Sequence, residues 1–171
     1  MAHDQVVLLG FWTSPYVMRV KIALEEKGVH YKYMEEDIFH NKSPLLLKTN
    51  PQHKKVPIVD CGRNMWASKG AEQEAAATEF MECLKLLEVE LGEKSFFEGE
   101  HFGLLDIALV PFSSRFYTYE TCCNFSVEKE CPKIMEWVKR CYQKDSVSKS
   151  IPDPYKVYDF VLEVKKMYGI S

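Results

Sequence analysis

The spacing of apolar residues changes near residue 60, and this change limits the possible folds more than any other feature of the chain. Before it, short apolar or alternating runs surround a helical segment, whereas after residue 69 every periodic stretch has helical spacing. An α/β unit followed by an all-helical unit is therefore the predicted architecture. We place the boundary after residue 59, so the two predicted domains are 1–59 and 60–171.

The first unit begins with a strand, a helix and a second strand. Residues 5–12 form a mostly apolar run typical of a buried strand, and residues 29–37 alternate like a half-buried strand. Between them, Ser14 is a predicted N-cap, Pro15 a first helical residue, and Gly28 the residue after the last turn. The helix is predicted to carry its apolar stripe at Tyr16, Val20, Ala23 and Leu24.

The rest of this unit is predicted to add a short helix and a third strand. Ser43-Pro44 opens the helix, and VPIV at 56–59 has the composition of a strand. The β-α-β-α-β order implies that strands one and two are parallel and joined by a right-handed crossover.

The second unit contains two informative helices. The longer one is predicted to end at Gly92, and a central core helix is predicted at 102–112, where the run is apolar almost all round. Asp106 lies three residues after Gly103, which makes half of a capping box, and Pro111 should kink this helix. The longer helix is expected to bury Ala76, Phe80, Leu84, Leu87 and Leu91.

Charge and composition exclude several functional classes. A formal charge of −3 without a basic run argues against a nucleic-acid partner, and no apolar run approaches the length of a membrane span. The N-terminal residues lack a secretory signal, and the six cysteines show neither C-x-x-C nor metal-ligand spacing. We therefore expect a cytosolic protein with reduced, mostly buried thiols and no metal.

Two features could carry chemistry. Ser14 is explained structurally as an N-cap that stabilises its helix by about 1 kcal/mol, or functionally as a hydroxyl donor that stabilises an anion at the helix N-terminus. The Val56-Pro57 pair has two explanations. Either Pro57 simply belongs to an edge strand, or a cis bond before Pro57 exposes the backbone of Val56 so that an extended ligand can pair with it. The nearby Lys42 and Lys55 are either solvated surface charges or contacts to such a ligand.

Several blocks together resemble plant tau-class glutathione transferases, in family order and over nearly the whole chain. The resemblance implies a thioredoxin-like domain that binds glutathione and an all-helical domain that shapes a site for hydrophobic electrophiles. It also implies a cytosolic, normally homodimeric enzyme of detoxification and stress response, which uses glutathione as a co-substrate and needs no other cofactor. The blocks are VVLLGFWTSPYVMRVKIALEEKGVHYKYMEED, NKSPLLLKTNPQHKKVP, GRNMWASKG, GLLDIALVPF and ECPKIMEWVKRC.

The resemblance also implies roles for individual residues. Ser14 would be the catalytic hydroxyl that donates to the glutathione sulfur; T-S-P-Y here replaces the C-x-x-C of dithiol thioredoxins. Lys42 and Lys55 would hold the glycine carboxylate, and Val56 would pair with the cysteinyl backbone before cis-Pro57. The pocket for the electrophile would comprise Trp12, Tyr16, Arg63, Trp66, Trp137 and Phe160. For Trp137 and Phe160, packing in the core is an equal alternative.

The chain departs from the family pattern after the third strand. VPIV is joined directly to DCGRNMWASKG, which resembles the second half of the family's fourth helix. A fourth strand, a Glu-Ser pair that grips the γ-glutamyl end, a third helix and half of the fourth helix are missing. We expect weaker glutathione binding and a weakened dimer interface. Three interpretations remain: an active transferase, a non-catalytic member that binds hydrophobic ligands or partners, and a splice or gene-model variant.

Overall fold

In the part that the structure describes, the N-terminal unit has two parallel strands beside one helix. The computed structural model describes residues 6–37 and 60–170. Strand β1 (Val6–Gly10) pairs in parallel with β2 (Tyr31–Glu35), and helix α1 (Pro15–Glu26) connects them. In this register Val6 lies opposite Tyr31 and Gly10 lies opposite Glu35. The predicted parallel arrangement is confirmed. The helix after Ser43-Pro44 and the strand at 56–59 lie outside the described residues, as do Lys42, Lys55 and the Val56-Pro57 bond.

Helix α1 begins and ends where its sequence predicts. Ser14 is the N-cap, Pro15 is the first helical residue, and Lys27 is the C-cap. Gly28 follows with a φ of +62°, and its amide donates to Glu25 O while the next amide, of Val29, donates to Leu24 O. These two bonds form a Schellman motif, which requires a left-handed residue at the position of Gly28. The chain reverses at this motif, and strand β2 begins at Tyr31, three residues after Gly28.

From residue 60 the regular secondary structure of the described chain is helical, apart from one bridge between Phe96 and Gly99. Pro111 was predicted to kink the central helix; in the structure the α-helix ends at Leu109, and Pro111 lies in the 3₁₀ segment Val110–Arg115 that follows it. The α-helices are α2 (Asp60–Ala67), α3 (Ala71–Leu91), α4 (Leu104–Leu109), α5 (Phe116–Cys123), α6 (Val127–Glu130), α7 (Pro132–Tyr142), α8 (Asp145–Ser148) and α9 (Pro154–Met167).

The hydrophobic core lies in the helical unit, and α1 contributes to it. Met18 and Ile22 of α1 are fully buried in the same cluster as Leu84, Val110 and Ile134. The predicted stripe of α3 is confirmed: Ala76, Leu84 and Leu91 are buried, and Phe80 and Leu87 pack against the core. Shared burial of apolar surface therefore joins the two units.

Two predictions about apolar faces are wrong. Strand β1 is not buried throughout, because Val6 and Val7 are 43% and 44% exposed. The buried face of α1 carries Pro15, Val17, Met18 and Ile22, whereas Val20 of the predicted stripe is exposed. This helix packs between the sheet and the helical unit, so its sequence has no single apolar stripe.

No helix in the described parts of the chain is both long enough and apolar enough to cross a bilayer.

Candidate functional site

The turn between β1 and α1 carries Ser14 and forms the centre of the candidate site. The amide of Ser14 donates to Phe11 O at 2.9 Å, which closes a four-residue turn. From here on, the turn formed by Phe11, Trp12, Thr13 and Ser14 is called the Ser14 turn. Its last two residues, Thr13 and Ser14, are only 1% and 5% exposed. The parallel strands bring this turn to the end of the sheet, where β2 also ends.

The Ser14 hydroxyl does not cap α1. A capping side chain normally accepts from the second or third amide of the helix. The third amide, of Val17, donates instead to the backbone carbonyl of Ser14 at 3.0 Å, and the Met18 amide donates there at 3.1 Å. The structural explanation of Ser14 as a side-chain cap is therefore wrong, although its backbone occupies the N-cap position.

Ser14 Oγ is buried and, among residues 6–37 and 60–170, has no hydrogen-bond partner. A buried hydroxyl without a partner costs about 1–3 kcal/mol, and such groups in folded proteins require an explanation. It lies at the N-terminus of a twelve-residue helix, where the helix dipole favours an anion. The arrangement can donate a hydrogen bond to a negatively charged ligand atom.

Side chains from both units hold the backbone of the Ser14 turn. Glu35 Oε1 accepts from the Trp12 amide at 2.9 Å, and Arg115 Nη2 donates to Thr13 O at 2.9 Å. Glu35 Oε2 also accepts from the hydroxyl of Tyr33 at 2.5 Å. Burial, and next the hydrogen bond to Glu35, raise the pKa of Tyr33, so this hydroxyl stays protonated and donating.

Aromatic rings line one side of the turn. Phe160 of α9 packs edge-to-face on Phe11 and Trp12, with ring centroids 5.4 and 5.6 Å apart. Tyr16, two residues after Ser14, packs edge-to-face on Phe112 at 6.1 Å. Trp12, Tyr16 and Phe160 are half-buried. These three predicted residues therefore lie in or next to the Ser14 turn with part of their surface accessible.

The other predicted pocket residues have different surroundings. Trp137 is 3% exposed, and its indole Nε1 donates to the buried carboxylate of Asp106 at 2.7 Å. This contact supports the core-packing alternative for Trp137, and its assignment to the electrophile pocket remains a prediction. Trp66 packs on a separate cluster of Met65, Ala76 and Tyr119, and Arg63 is exposed on α2. The assignment of Trp66 and Arg63 to the pocket remains a prediction.

Glu35 and Arg115 are site residues that the sequence reasoning missed. Glu35 ends an alternating strand, and the parallel order predicted from the sequence already implies that β1 and β2 end at the same edge. That implication was a usable signal for Glu35. Arg115 is 102 positions away from Thr13 in the chain, and no local pattern indicates their contact.

The five cysteines whose side chains the structure describes are free, and they differ in burial. Cys131 and Cys141 are buried and Cys122 and Cys123 are half-buried, whereas Cys83 is exposed. Burial raises the pKa of the Cys123 thiol to about 11, and burial likewise raises the pKa of Cys122, Cys131 and Cys141. A raised pKa disfavours the nucleophilic thiolate. In residues 6–37 and 60–170 no group of His, Cys, Asp or Glu side chains could hold a metal ion.

Both units match models of known domains. Residues 4–65 match the glutathione S-transferase N-terminal domain, and residues 70–140 match the glutathione S-transferase C-terminal domain. The fold therefore defines a glutathione S-transferase-type protein, in which a thioredoxin-like domain is followed by a helical domain.

Curated relatives match this chain over almost its entire length. The chain is 42% identical over 222 residues to the probable glutathione S-transferase parC of Nicotiana tabacum, covering 100% of both. It is 43% identical over 219 residues to glutathione S-transferase U21 of Arabidopsis thaliana, covering 98% of this chain and 99% of the relative. The chain belongs to the glutathione S-transferase family, within the plant tau class.

Solved structures give the same result. The structure of rice GST1 in complex with glutathione superposes with a TM-score of 0.90 at 36% identity, covering 99% of this chain and 100% of the rice chain. A tau-class enzyme from mango gives a TM-score of 0.83 at 27% identity, covering 93% of this chain and 98% of the mango chain.

The alignment with parC also shows that a segment is missing inside the chain. It runs over 222 positions and covers both proteins from end to end, whereas this chain has 171 residues, so at least 51 positions have no counterpart here (222 less 171). Because both ends align, these positions are internal. Their location after residue 59 remains a prediction, as does the domain boundary placed there.

Proposed function

We propose that this chain binds glutathione beside the Ser14 turn and conjugates the glutathione thiolate to hydrophobic electrophiles. The observation that carries this proposal is the buried Ser14 hydroxyl, which has no partner among the described residues and lies at the N-terminus of α1. A thiolate sulfur held there would accept the hydrogen bond that the fold leaves unused. Support also comes from the relatives, which are named glutathione S-transferases, and from the glutathione complex of the rice protein.

The available interactions are strong enough for this role. A thiol with a pKa near 8.5 is about 3% ionised at pH 7, and lowering that pKa by about two units requires roughly 2.7 kcal/mol. A helix N-terminus supplies up to about 2 kcal/mol in a partly buried geometry. A hydrogen bond from Ser14 to a charged sulfur adds roughly 1.5–3 kcal/mol. Together they can keep the bound thiol largely ionised at neutral pH.

The reaction itself needs only substitution at an electrophilic carbon. Ionisation releases the thiol proton to solvent, and the thiolate then forms a sulfur–carbon bond. With an aryl halide the carbon–halogen bond breaks and the halide leaves with its electron pair. Trp12, Tyr16 and Phe160 would contact the apolar body of the electrophile, and Arg63 and Trp66 would complete the pocket.

The remaining ligand contacts follow the family resemblance. Lys42 and Lys55 would hold the glycine carboxylate of glutathione, and Val56 would pair with its cysteinyl backbone before cis-Pro57. If the missing segment follows residue 59, it carries the family's γ-glutamyl anchors, so we expect a high KM for glutathione. By the same resemblance the segment would also carry part of the family's dimer interface, so we expect a weakened homodimer. A cytosolic role in detoxification of xenobiotics fits this reaction.

The substitution Ser14→Ala tests the proposal. We expect kcat/KM with an aryl halide to fall by about 10- to 100-fold, because the lost bond to the sulfur is worth roughly 1.5–3 kcal/mol. The thiolate absorbance of bound glutathione should titrate at higher pH, and the thermal midpoint should stay at or above that of the wild type because a buried unpaired hydroxyl is removed.

Ser148→Ala is the matched control, because Ser148 is exposed on the short helix α8. It should leave both turnover and the titration unchanged. Wild-type turnover in Ser14→Ala would remove Ser14 from the mechanism. A wild-type chain that neither binds immobilised glutathione nor turns over an aryl halide would refute the function itself.

A further inference from the structure

The proposed function requires a correctly placed Ser14 hydroxyl, yet no interaction among the described residues holds that hydroxyl directly. Its position therefore depends on the backbone of the Ser14 turn. Within that turn the Ser14 amide bonds to Phe11 O at 2.9 Å, and the two residues between them use side chains from outside the turn as partners. Side chains from outside the turn are therefore bonded to both residues between Phe11 and Ser14.

Glu35 supplies the partner on the sheet side. It is the last residue of β2 and lies opposite Gly10, immediately before the turn. One carboxylate oxygen accepts from the Trp12 amide and the other from the Tyr33 hydroxyl, which lies on the same face of the strand. Lys21 Nζ lies 3.7 Å from the centroid of the Tyr33 ring. The carboxylate is therefore held in the orientation that the Trp12 amide needs.

Arg115 supplies the partner on the side of the helical unit. It is the last residue of the 3₁₀ segment, and its Nη2 donates to the carbonyl of Thr13, which is almost completely buried. A buried carbonyl must find a donor in the protein, and a guanidinium provides a charge-assisted bond. This contact ties the residue before Ser14 to the helical unit.

We propose that Glu35 and Arg115 are positioning residues that hold the Ser14 turn from opposite sides, so that the sheet and the helical unit together set the position of the Ser14 hydroxyl. The inference deepens the proposed function and rests on it for its effect on turnover. The effect on the turn itself rests only on the contacts of the two residues.

Four variants test the proposal in the full chain. Glu35→Met and Arg115→Met remove the acceptor and the donor but keep an unbranched side chain. Glu35→Gln retains an acceptor oxygen for the Trp12 amide, and Arg115→Lys retains a charged donor for Thr13 O. Glu79→Met and Lys129→Met are matched controls at exposed positions of α3 and α6.

The first measurement is amide hydrogen exchange by NMR, which needs no activity. In both methionine variants we expect the Ser14 amide to exchange about fivefold faster or more, the factor for the loss of one ordinary hydrogen bond. The amides of Val138 and Val161, in α7 and α9, should keep their wild-type rates. The Gln and Lys variants should restore the Ser14 rate, and the two controls should not change it.

The second measurement is the pH dependence of turnover with glutathione and an aryl halide. A displaced hydroxyl stabilises the thiolate less, so the methionine variants should need a higher pH for half-maximal kcat and lose about fivefold in kcat at neutral pH. The KM for glutathione should change less than twofold, because the contact proposed for the cysteinyl backbone of glutathione is at Val56 and not at Glu35 or Arg115. The Gln and Lys variants should recover most of kcat.

Three results would overturn the proposal. The first is a Ser14 amide that exchanges at the wild-type rate in both methionine variants. The second is faster exchange at Val138 and Val161 as well, which would mean general destabilisation. The third is faster exchange at Ser14 with an unchanged pH profile in an active chain. An inactive wild type would refute the proposed function, and the exchange measurement alone would then decide whether the two residues hold the turn.

Discussion

At the scale of single residues, Asp106 shows how one buried carboxylate organises the helical unit. It is completely buried, and Oδ1 accepts from the Phe97 amide at 3.0 Å and from Trp137 Nε1 at 2.7 Å. Oδ2 accepts from the Gly103 amide at 2.8 Å, which confirms the predicted half of a capping box. Three donors offset the cost of burying this charge.

Replacing Trp137 by Phe separates its role in the core from a role in the electrophile pocket. The aromatic ring remains against Phe97, but the bond to Asp106 is lost, so we expect the free energy of unfolding to fall by roughly 1.5–3 kcal/mol. Urea unfolding measures this loss, and the KM for the electrophile should not change. A raised KM with unchanged stability would return Trp137 to the pocket.

The sequence predicted where Ser14 lies but not the state of its hydroxyl. The strand, the proline and the helical spacing are local signals, and they indicated the start of α1 correctly. Whether the hydroxyl caps the helix depends on a competition for the Val17 amide, which the carbonyl of Ser14 wins. Which oxygen of Ser14 accepts from the Val17 amide is set by backbone angles and not by residue type. The residue pattern therefore could not predict that the hydroxyl is left without this bond.

At the scale of elements, α1 shows why a helix between two layers misleads a search for one stripe. Its buried residues Met18 and Ile22 face the core of the helical unit, and Gly10 of β1 approaches Val17 so closely that a Cβ there would lie 2.5 Å from Val17 Cγ1. The apolar residues are therefore spread over two faces. By contrast, α3 has one buried face, and its stripe was predicted correctly.

The end of α1 offers a direct test of the Schellman motif. Gly28 has a φ of +62°, and a Cβ built there has no described atom within 4 Å. Gly28→Ala should therefore lower the free energy of unfolding by about 1–2 kcal/mol through backbone strain alone. Gly28→Asn is the matched variant, because Asn adopts left-handed angles more readily and should cost less. Equal stability of all three proteins in urea would contradict this explanation of the turn.

At the scale of the whole molecule, the contacts between the two units are those that the sequence could least predict. Arg19 donates to Ala108 O across 89 positions, and Arg115 donates to Thr13 O across 102. Such contacts leave no periodic signal in either segment. The loss of an internal segment was predictable, because it interrupts a series of blocks in known order, and the alignment with parC confirms that such a segment is missing. Its position after residue 59 stays a prediction.

Arg19 of α1 contacts the helical unit and so helps to join the two units. Its Nε bonds to Ala108 O, and its guanidinium lies 4.8 Å from the ring centroids of both Tyr16 and Phe112, one from each unit. Burial chiefly lowers the pKa of Arg19, with a smaller opposing effect of Tyr16, so the guanidinium needs these contacts to offset lost hydration. Lys cannot stack a planar group on two rings or donate in the same geometry.

We therefore expect Arg19→Lys to lower the free energy of unfolding by about 1–3 kcal/mol, from one lost hydrogen bond and weakened cation–π contacts. Arg63→Lys, at an exposed position of α2, is the control and should remain near the wild type. Because α1 contributes Met18 and Ile22 to the core of the helical unit, calorimetry of Arg19→Lys should still show one transition at a lower temperature. Two separate transitions would mean that Arg19, and not the shared core, makes the two units unfold together.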